Sequence, residues 1–269
     1  MKKLIAFVLT AMITCLAFTG CGKKGYDDLA IVDLGLPQEY FGIAFRDGSD
    51  LTRMVEEITL DLIDEGFLAD LSDKYQVAAV ESGAYTPAAA AYTGSGDWEY
   101  VKNKGKLVVG ITDYKPMDYK ENGKWVGFDA EYALAVAEKL GVEVEFKEIE
   151  WEYKLVALEA KDIDCIWNGM TITTAIENAA DCTVPYMYNT QVAVVQKANA
   201  EKFKSIDDFA GASIAAEGGS AGESAVKDND ALADGLKSVT GQTDALTEVL
   251  SGASDAAFVD YILARALIQ

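Results

Sequence analysis

Hydrophobic positions along this chain switch repeatedly between the period of a strand and the period of a helix. Short apolar runs at 30–32 and 41–45 (FGIAF) predict strands. Leu51, Met54, Val55, Ile58 and Leu62 then recur at helical spacing, which predicts a helix over 50–63 capped by Ser49 or Asp50. A second helical piece is predicted at 68–75. Residues 79–97 (AVESGAYTPAAAAYTGSGD) are small and polar, without periodicity, and read as a linker. Beyond them the alternation resumes. A strand is predicted at 106–111, a helix with Phe128, Tyr132, Val136 and Leu140 on one face, a strand at 142–146, a helix near 152–159 and a strand at 163–167. Further strands are predicted at 190–195, 213–216 and 256–258, followed by an apolar helical run from Asp260 to Gln269. This β/α alternation predicts an α/β fold in which the loops at strand ends build the site.

The N-terminus departs from that pattern. Lys2 and Lys3 precede an apolar stretch, 4–18, that is too short to span a bilayer comfortably, and Thr19 and Gly20 then lead to Cys21. The arrangement resembles a bacterial lipoprotein signal over 1–20, in which Cys21 is lipidated and becomes the mature N-terminus. Phe18 stands where that motif prefers leucine, so an ordinary secretory signal and an uncleaved anchor stay open. Either way the chain is expected to work outside the cytoplasm, tethered to the membrane through Cys21 in the first reading. Of the other cysteines, Cys15 lies in the signal. Cys165 and Cys182 sit in apolar, strand-like contexts that suit buried thiols or a single disulfide.

Composition removes several classes of function. In 269 residues, 23 Lys and Arg face 44 Asp and Glu, for a formal charge of −21. Cleavage after residue 20 deletes two lysines and no acid, which takes −21 to −23. A surface this acidic repels phosphate backbones, so nucleic acid is not expected as a partner. There is no histidine, which excludes His-based triads and His metal sites.

From Gly105 onward the residues carry a resemblance. KLVVGITDYKPMDY (106–119), WVGFDAEYALAVAEKLG (125–141), IDCIWNGMTIT (163–173), VPYMYNTQVAVV (184–195), GGSAGESA (218–225) and SDAAFVDY (254–261) resemble the family 3 extracellular solute-binding proteins, the polar amino-acid receptors of ABC importers. In that family the chain would continue past such a C-terminal helix into a lobe-2 strand, a hinge, a lobe-1 strand and a last helix. Those parts resemble what stands at 26–78. The resemblance therefore implies a two-lobed periplasmic-binding-protein-like (type II) fold with a hinge, circularly permuted, with 79–97 joining the family's old termini. A truncated tandem gene is the rival reading. Lobe 1 would be 39–187 and lobe 2 would be 26–38 plus 188–269, with crossings near Glu39 and Tyr188. Permutation is physically tolerable because domain termini often lie close together at the surface.

The resemblance also implies the cleft residues. Asp113 and Tyr114 follow the 106–111 strand, and an aromatic there packs on the ligand in the family; a surface loop tyrosine is the plainer alternative. Trp167, Asn168, Gly169 and Thr171 follow the next strand. There a glycine lets backbone approach a ligand, Thr171 offers a hydroxyl and an N–H, and Trp167 suits either cleft or core. Gly218 to Gly222 form a turn before a helix whose N–H groups, with Ser220 as donor, suit an anion. Asp260 would accept the ligand's α-ammonium group, or cap the helix that follows it.

One position departs from the family. Three residues after the GMTIT block, where the family has an arginine for the ligand's carboxylate, this chain has Ile176. Backbone N–H groups with Thr171 and Ser220, or Lys115, would have to hold the carboxylate; otherwise the ligand lacks one. Asp113, Asp260 and nearby aromatics would also suit an amine or other cation. Asp113, Asp118 and Asp260 are candidates for acid–base chemistry by position only, and no carboxylate pair stands out, so an enzyme is not expected. The expectation is a monomeric receptor without metal or organic cofactor. It would pass a small polar solute, foremost an amino acid, to an ABC permease; a ligand sensor uncoupled from transport stays open.

Overall fold

The computed structural model describes residues 25–80 and 96–268. The signal at 1–20, Cys21 and most of the 79–97 linker lie outside the described residues. In chain order the strands are β1 (Leu29–Val32), β2 (Gln38–Arg46), β3 (Lys106–Ile111), β4 (Tyr119–Glu121), β5 (Lys124–Val126), β6 (Glu143–Glu148), β7 (Cys165–Thr171), β8 (Ala180–Cys182), β9 (Met187–Gln196), β10 (Ile214–Glu217), β11 (Leu236–Val239) and β12 (Ala256–Asp260). The helices are α1 (Asp50–Asp64), α2 (Phe67–Tyr75), α3 (Asp97–Lys104), α4 (Phe128–Leu140), α5 (Lys154–Glu159), α6 (Thr174–Glu177), α7 (Ala221–Lys227), α8 (Asp230–Ala233), α9 (Gln242–Ser251) and α10 (Tyr261–Leu267).

The long periodic segments form where the pattern places them. Strands β4, β5, β8 and β11 are additional, and three or four residues are too few to display a period. Strand β7 is the informative difference. It runs on to Thr171 instead of ending at 167, because Phe41 and Gly42 of β2 pair with Thr171 and Met170 and extend the ladder. Asn168, Gly169 and Thr171 are therefore strand residues, not residues of a loop beyond the strand.

One sheet path runs β11-β10-β12-β9-β2-β7-β3-β6, with β1 and β8 paired off it onto β9 and β2. It has two halves. Around β10, the strands β11 and β12 are parallel; around β3, β6 and β7 are parallel. Strand β9 joins them: residues 187–190 pair with β2, and 191–195 pair with β12. The stretch 33–37 is the second connection among the described residues, because β1 pairs with 193–196 of β9 while β2 starts pairing at Thr190. The C-terminal ends of β3, β7, β10 and β12 point to the region between the halves, which is where α/β sheets build binding sites.

One apolar cluster runs through both halves, and each half adds a smaller one. In the first half, Tyr132 meets Trp167 edge to face at 4.7 Å, and Phe128 stacks on Tyr186 at 6.1 Å. In the second, Phe203, Phe209 and Phe258 pack in series at 4.5 and 5.7 Å. Arg46 at the end of β2 is buried under the first half. Its Nε donates to Asp97 at 2.9 Å, and its Nη1 donates to the carbonyls of Leu158 and Ile163. Cys165 and Cys182 are both free thiols. Among the described residues no helix is long and apolar enough to cross a membrane.

Candidate ligand-binding cleft

A cleft of about 190 Å³ opens between the two halves, walled by the ends of β7, β10 and β12, the 151–155 segment, Tyr114 and Ile176. Asp260, the last residue of β12, stands at its base with 6 % exposure. Its Oδ1 accepts from Asn189 Nδ2 at 2.5 Å and Gln191 Nε2 at 2.7 Å, and its Oδ2 accepts from Gln242 Nε2 at 2.5 Å. Side-chain amides thus take the place that a helix cap would fill, and Asp260 makes no cap bond to α10. Tyr114, from the opposite half, turns its hydroxyl toward this carboxyl.

The other anticipated residues divide into two groups. Asn168, Gly169, Thr171 and Ser220 line the cleft with Tyr114 and Asp260. Asn168 is also a brace: its Oδ1 accepts from Thr112 N and Oγ1, and its Nδ2 donates to Asp118 at 2.8 Å. Gly169 has φ +55, and a Cβ there would lie 2.6 Å from the Tyr114 ring, so the position requires glycine. Asp113 and Trp167 do not line the cleft. Asp113 is exposed, while Trp167 is wholly buried against Tyr132 with its indole N–H turned toward Asp129.

The turn at 218–222 differs from expectation in its chemistry. Gly219 N donates to Glu223 Oε2 at 2.9 Å, and Glu223 N donates to Ser220 Oγ at 3.1 Å. The anion at this turn is the chain's own Glu223, so the turn is not left open as the ligand's main anion site. Sequence reasoning also missed three cleft residues, Glu217, Gln242 and Lys154, and Glu39 beside the cleft. Glu39 accepts from Gln191 at 2.9 Å and from Thr171 and Asn189 at 3.3 Å. Glu217, 3 % exposed at the end of β10, lines the cleft without a side-chain hydrogen bond among the described residues. Gln242 holds Asp260, and Lys154 lines the wall opposite the turn. Glu217 was within reach of the strand-end rule already applied to Asp260. Glu39, Gln242 and Lys154 carry no local signal.

The electrostatics of this region favour protons. Burial raises the carboxyls of Glu39 and Asp260 and pushes that of Glu217 up to about 8, with neighbouring Asp260 adding to the shift in Glu39 and Glu217. Burial likewise raises Asp118 and Asp129 beneath the cleft. A raised native value means that the folded chain keeps protons the unfolded chain has released. The associated stability is complete below the ordinary carboxylate range and is lost as pH rises through the native values, to about 8 for Glu217. Burial pushes Lys154 down to about 8, so it is protonated in both states below that pH and adds no slope there. The ligand-free chain is therefore expected to melt at a higher temperature at pH 5 than at pH 8. Equal melting temperatures by calorimetry would show that these acids ionise as freely as in water.

Comparison with known proteins agrees with this geometry. Residues 107–254 match the model of the bacterial extracellular solute-binding proteins, family 3. The arginine-binding extracellular protein ArtP of Bacillus subtilis is 31 % identical over 192 residues, covering 70 % of this chain and 72 % of that protein. The L-cystine-binding protein TcyJ of Escherichia coli K12 is 34 % identical over 116 residues, and the match spans 42 % of this chain and only 44 % of that relative's length. Among solved structures, the arginine-bound, truncated ArgBP from T. maritima superposes with a TM-score of 0.60 at 33 % identity, over 62 % of this chain and 79 % of that one. With its paired α/β halves and the cleft between them, this chain belongs to the bacterial extracellular solute-binding proteins, family 3.

Proposed function

We propose that this chain is the receptor subunit of an ABC importer, an extracytoplasmic monomer tethered through a lipid on Cys21. It captures a small polar solute, foremost an amino acid, between two closing lobes and delivers it to a membrane permease. The observation that carries the ligand class is Asp260: a buried carboxyl set by three amide donors and facing Tyr114 across the cleft. A carboxylate so oriented suits an ammonium group, and the ring beside it suits the ligand's side chain. Relatives named for binding arginine and cystine support the same class. The composition of the signal segment supports export and anchoring, and Cys21→Ser should release the chain from the membrane fraction if the lipid holds it there.

We take the lobes as 39–187 and 26–38 plus 188–269, hinged near Glu39 and Tyr188. The two connections at 33–37 and along β9 support that division. We also read the order of the pieces as a circular permutation. Residues 26–78 lie outside the 107–254 match, yet β1 and β2 pair within the same sheet path. A chain rebuilt with 26–78 behind residue 269 should melt cooperatively and bind the same ligand; failure to fold would count against the permutation. An amine is the second reading, favoured by the two acids Glu217 and Asp260 that line one cleft.

The deciding experiment is a thermal-shift screen of the processed chain against the twenty L-amino acids, L-cystine, small amines and sugars. A ligand at about 100 times its Kd adds roughly 2.7 kcal/mol of stability, a shift well clear of noise. Hits among amino acids are the expected result. Hits confined to amines would move the assignment to the second reading, and hits confined to sugars would overturn both.

A further inference from the structure

The cleft has one cation, and nothing so far gives it a role. We propose that Lys154 is the residue that binds the ligand's carboxylate, which makes the ligand an acid and not a simple amine. This rests on the receptor reading above and narrows it.

Three observations carry the proposal. Lys154, the first residue of α5, is only 7 % exposed, and it is the sole basic residue lining the cleft among the described residues. Its Nζ donates to Gly219 O at 2.8 Å and to Trp151 O at 3.2 Å, and it lies 4.8 Å from the Trp151 ring centroid. An ammonium has three N–H donors, so two carbonyls leave one for a ligand. No carboxylate among the described residues comes within ion-pair distance of it, although Glu152, Glu217 and Glu223 attract it from further away. A buried cation served only by neutral acceptors is costly, and a ligand carboxylate would relieve that cost.

Two of the alternatives in the cleft are closed. The turn's Gly219 N–H is held by Glu223, and the position across the cleft is Ile176, an aliphatic wall 6 % exposed. Asp260, at the β12 end, turns a carboxylate away from that side of the cleft. An amino acid is therefore oriented with its ammonium toward Asp260 and its carboxylate toward Lys154. The Nζ–Gly219 bond also links the two halves of the molecule, so the same ammonium would hold both the closed cleft and the ligand.

The test compares acid with amide. The amino acid that binds most tightly in the screen above, and its α-carboxamide, are titrated calorimetrically into the unmutated chain and into Lys154→Gln. The unmutated chain should prefer the acid, and Lys154→Gln should lose roughly 10- to 100-fold in affinity for the acid, the worth of one charge-assisted bond, while binding the carboxamide within about threefold of the original. Lys154→Arg should keep the preference. Lys154→Met, which retains the aliphatic stem over Trp151, serves as the neutral variant if Lys154→Gln does not melt cooperatively. A neutral variant that still prefers the acid overturns the role of Lys154 and leaves the receptor reading intact. A wild-type chain that binds amines but no carboxylate overturns the role of Lys154 and moves the receptor to the amine reading.

Discussion

Replacing Asp260 with alanine should reduce ligand affinity by at least about 30-fold. Truncating one member of a buried charge pair costs about 2–5 kcal/mol, and each 1.4 kcal/mol is a factor of ten. The loss has two sources. The ligand's ammonium is left without its counter-charge, and the Asn189, Gln191 and Gln242 amides lose the acceptor that orients them. Asp260→Asn separates the two, because it keeps the shape and one acceptor while removing the charge. Because the new side-chain NH2 faces a donor where Asp260 had an acceptor, the ligand-free melting temperature should fall by a few degrees. The ligand-induced shift should also disappear. An Asp260→Asn chain that keeps its full ligand-induced shift would remove Asp260 from the binding machinery.

The second large effect is on stability. Arg46→Met should destabilise the fold by about 3–5 kcal/mol, the cost of breaking a buried ion pair from one side. For a chain of this size, that lowers the melting temperature by roughly 10 °C. Arg46 holds Asp97 at 2.9 Å and two carbonyls, and its Nη2 lies 3.7 Å from Asp164. Asp97 would lose its buried counter-charge and keep the outer Lys161 at 3.4 Å, and Asp164 would keep Lys104 at 2.5 Å. The effect bears on architecture too, because Arg46 ties the N-terminal segment to α3 and to the α5–β7 region. A loss under about 1 kcal/mol in denaturant titration would mean that the segment is not integral to that half.

Much of this molecule was legible in its sequence, for a physical reason. Helix α1 and strands β2, β3 and β12 announce themselves because burying one face imposes a period on neighbouring residues. Asp260 and Tyr114 were legible because they sit at strand ends, where an α/β sheet leaves room for a ligand. The absence of histidine and the excess of acids narrowed the chemistry without any fold at all. The segments from Gly105 onward could be recognised as resembling one family, since each keeps its own local pattern.

What the sequence could not convey is which side chains converge. Glu39 and Asp260 stand more than two hundred positions apart, and only the pairing of β2 and β12 on either side of β9 brings both to Gln191. Lys154 gave no signal, because a lysine near a helix start is usually solvated; packing over Trp151 and against Gly219 makes it the cleft's cation. Trp167 shows the converse. It belongs to a recognisable motif, yet strand alternation turns it into the core while Asn168 faces Thr112 and the cleft. Glycine-rich spacing likewise signals an anion at 218–222, but only the fold reveals that Glu223 already supplies it. Periodicity records what each segment buries; the composition of the cleft depends on contacts between segments, and tertiary packing alone decides those.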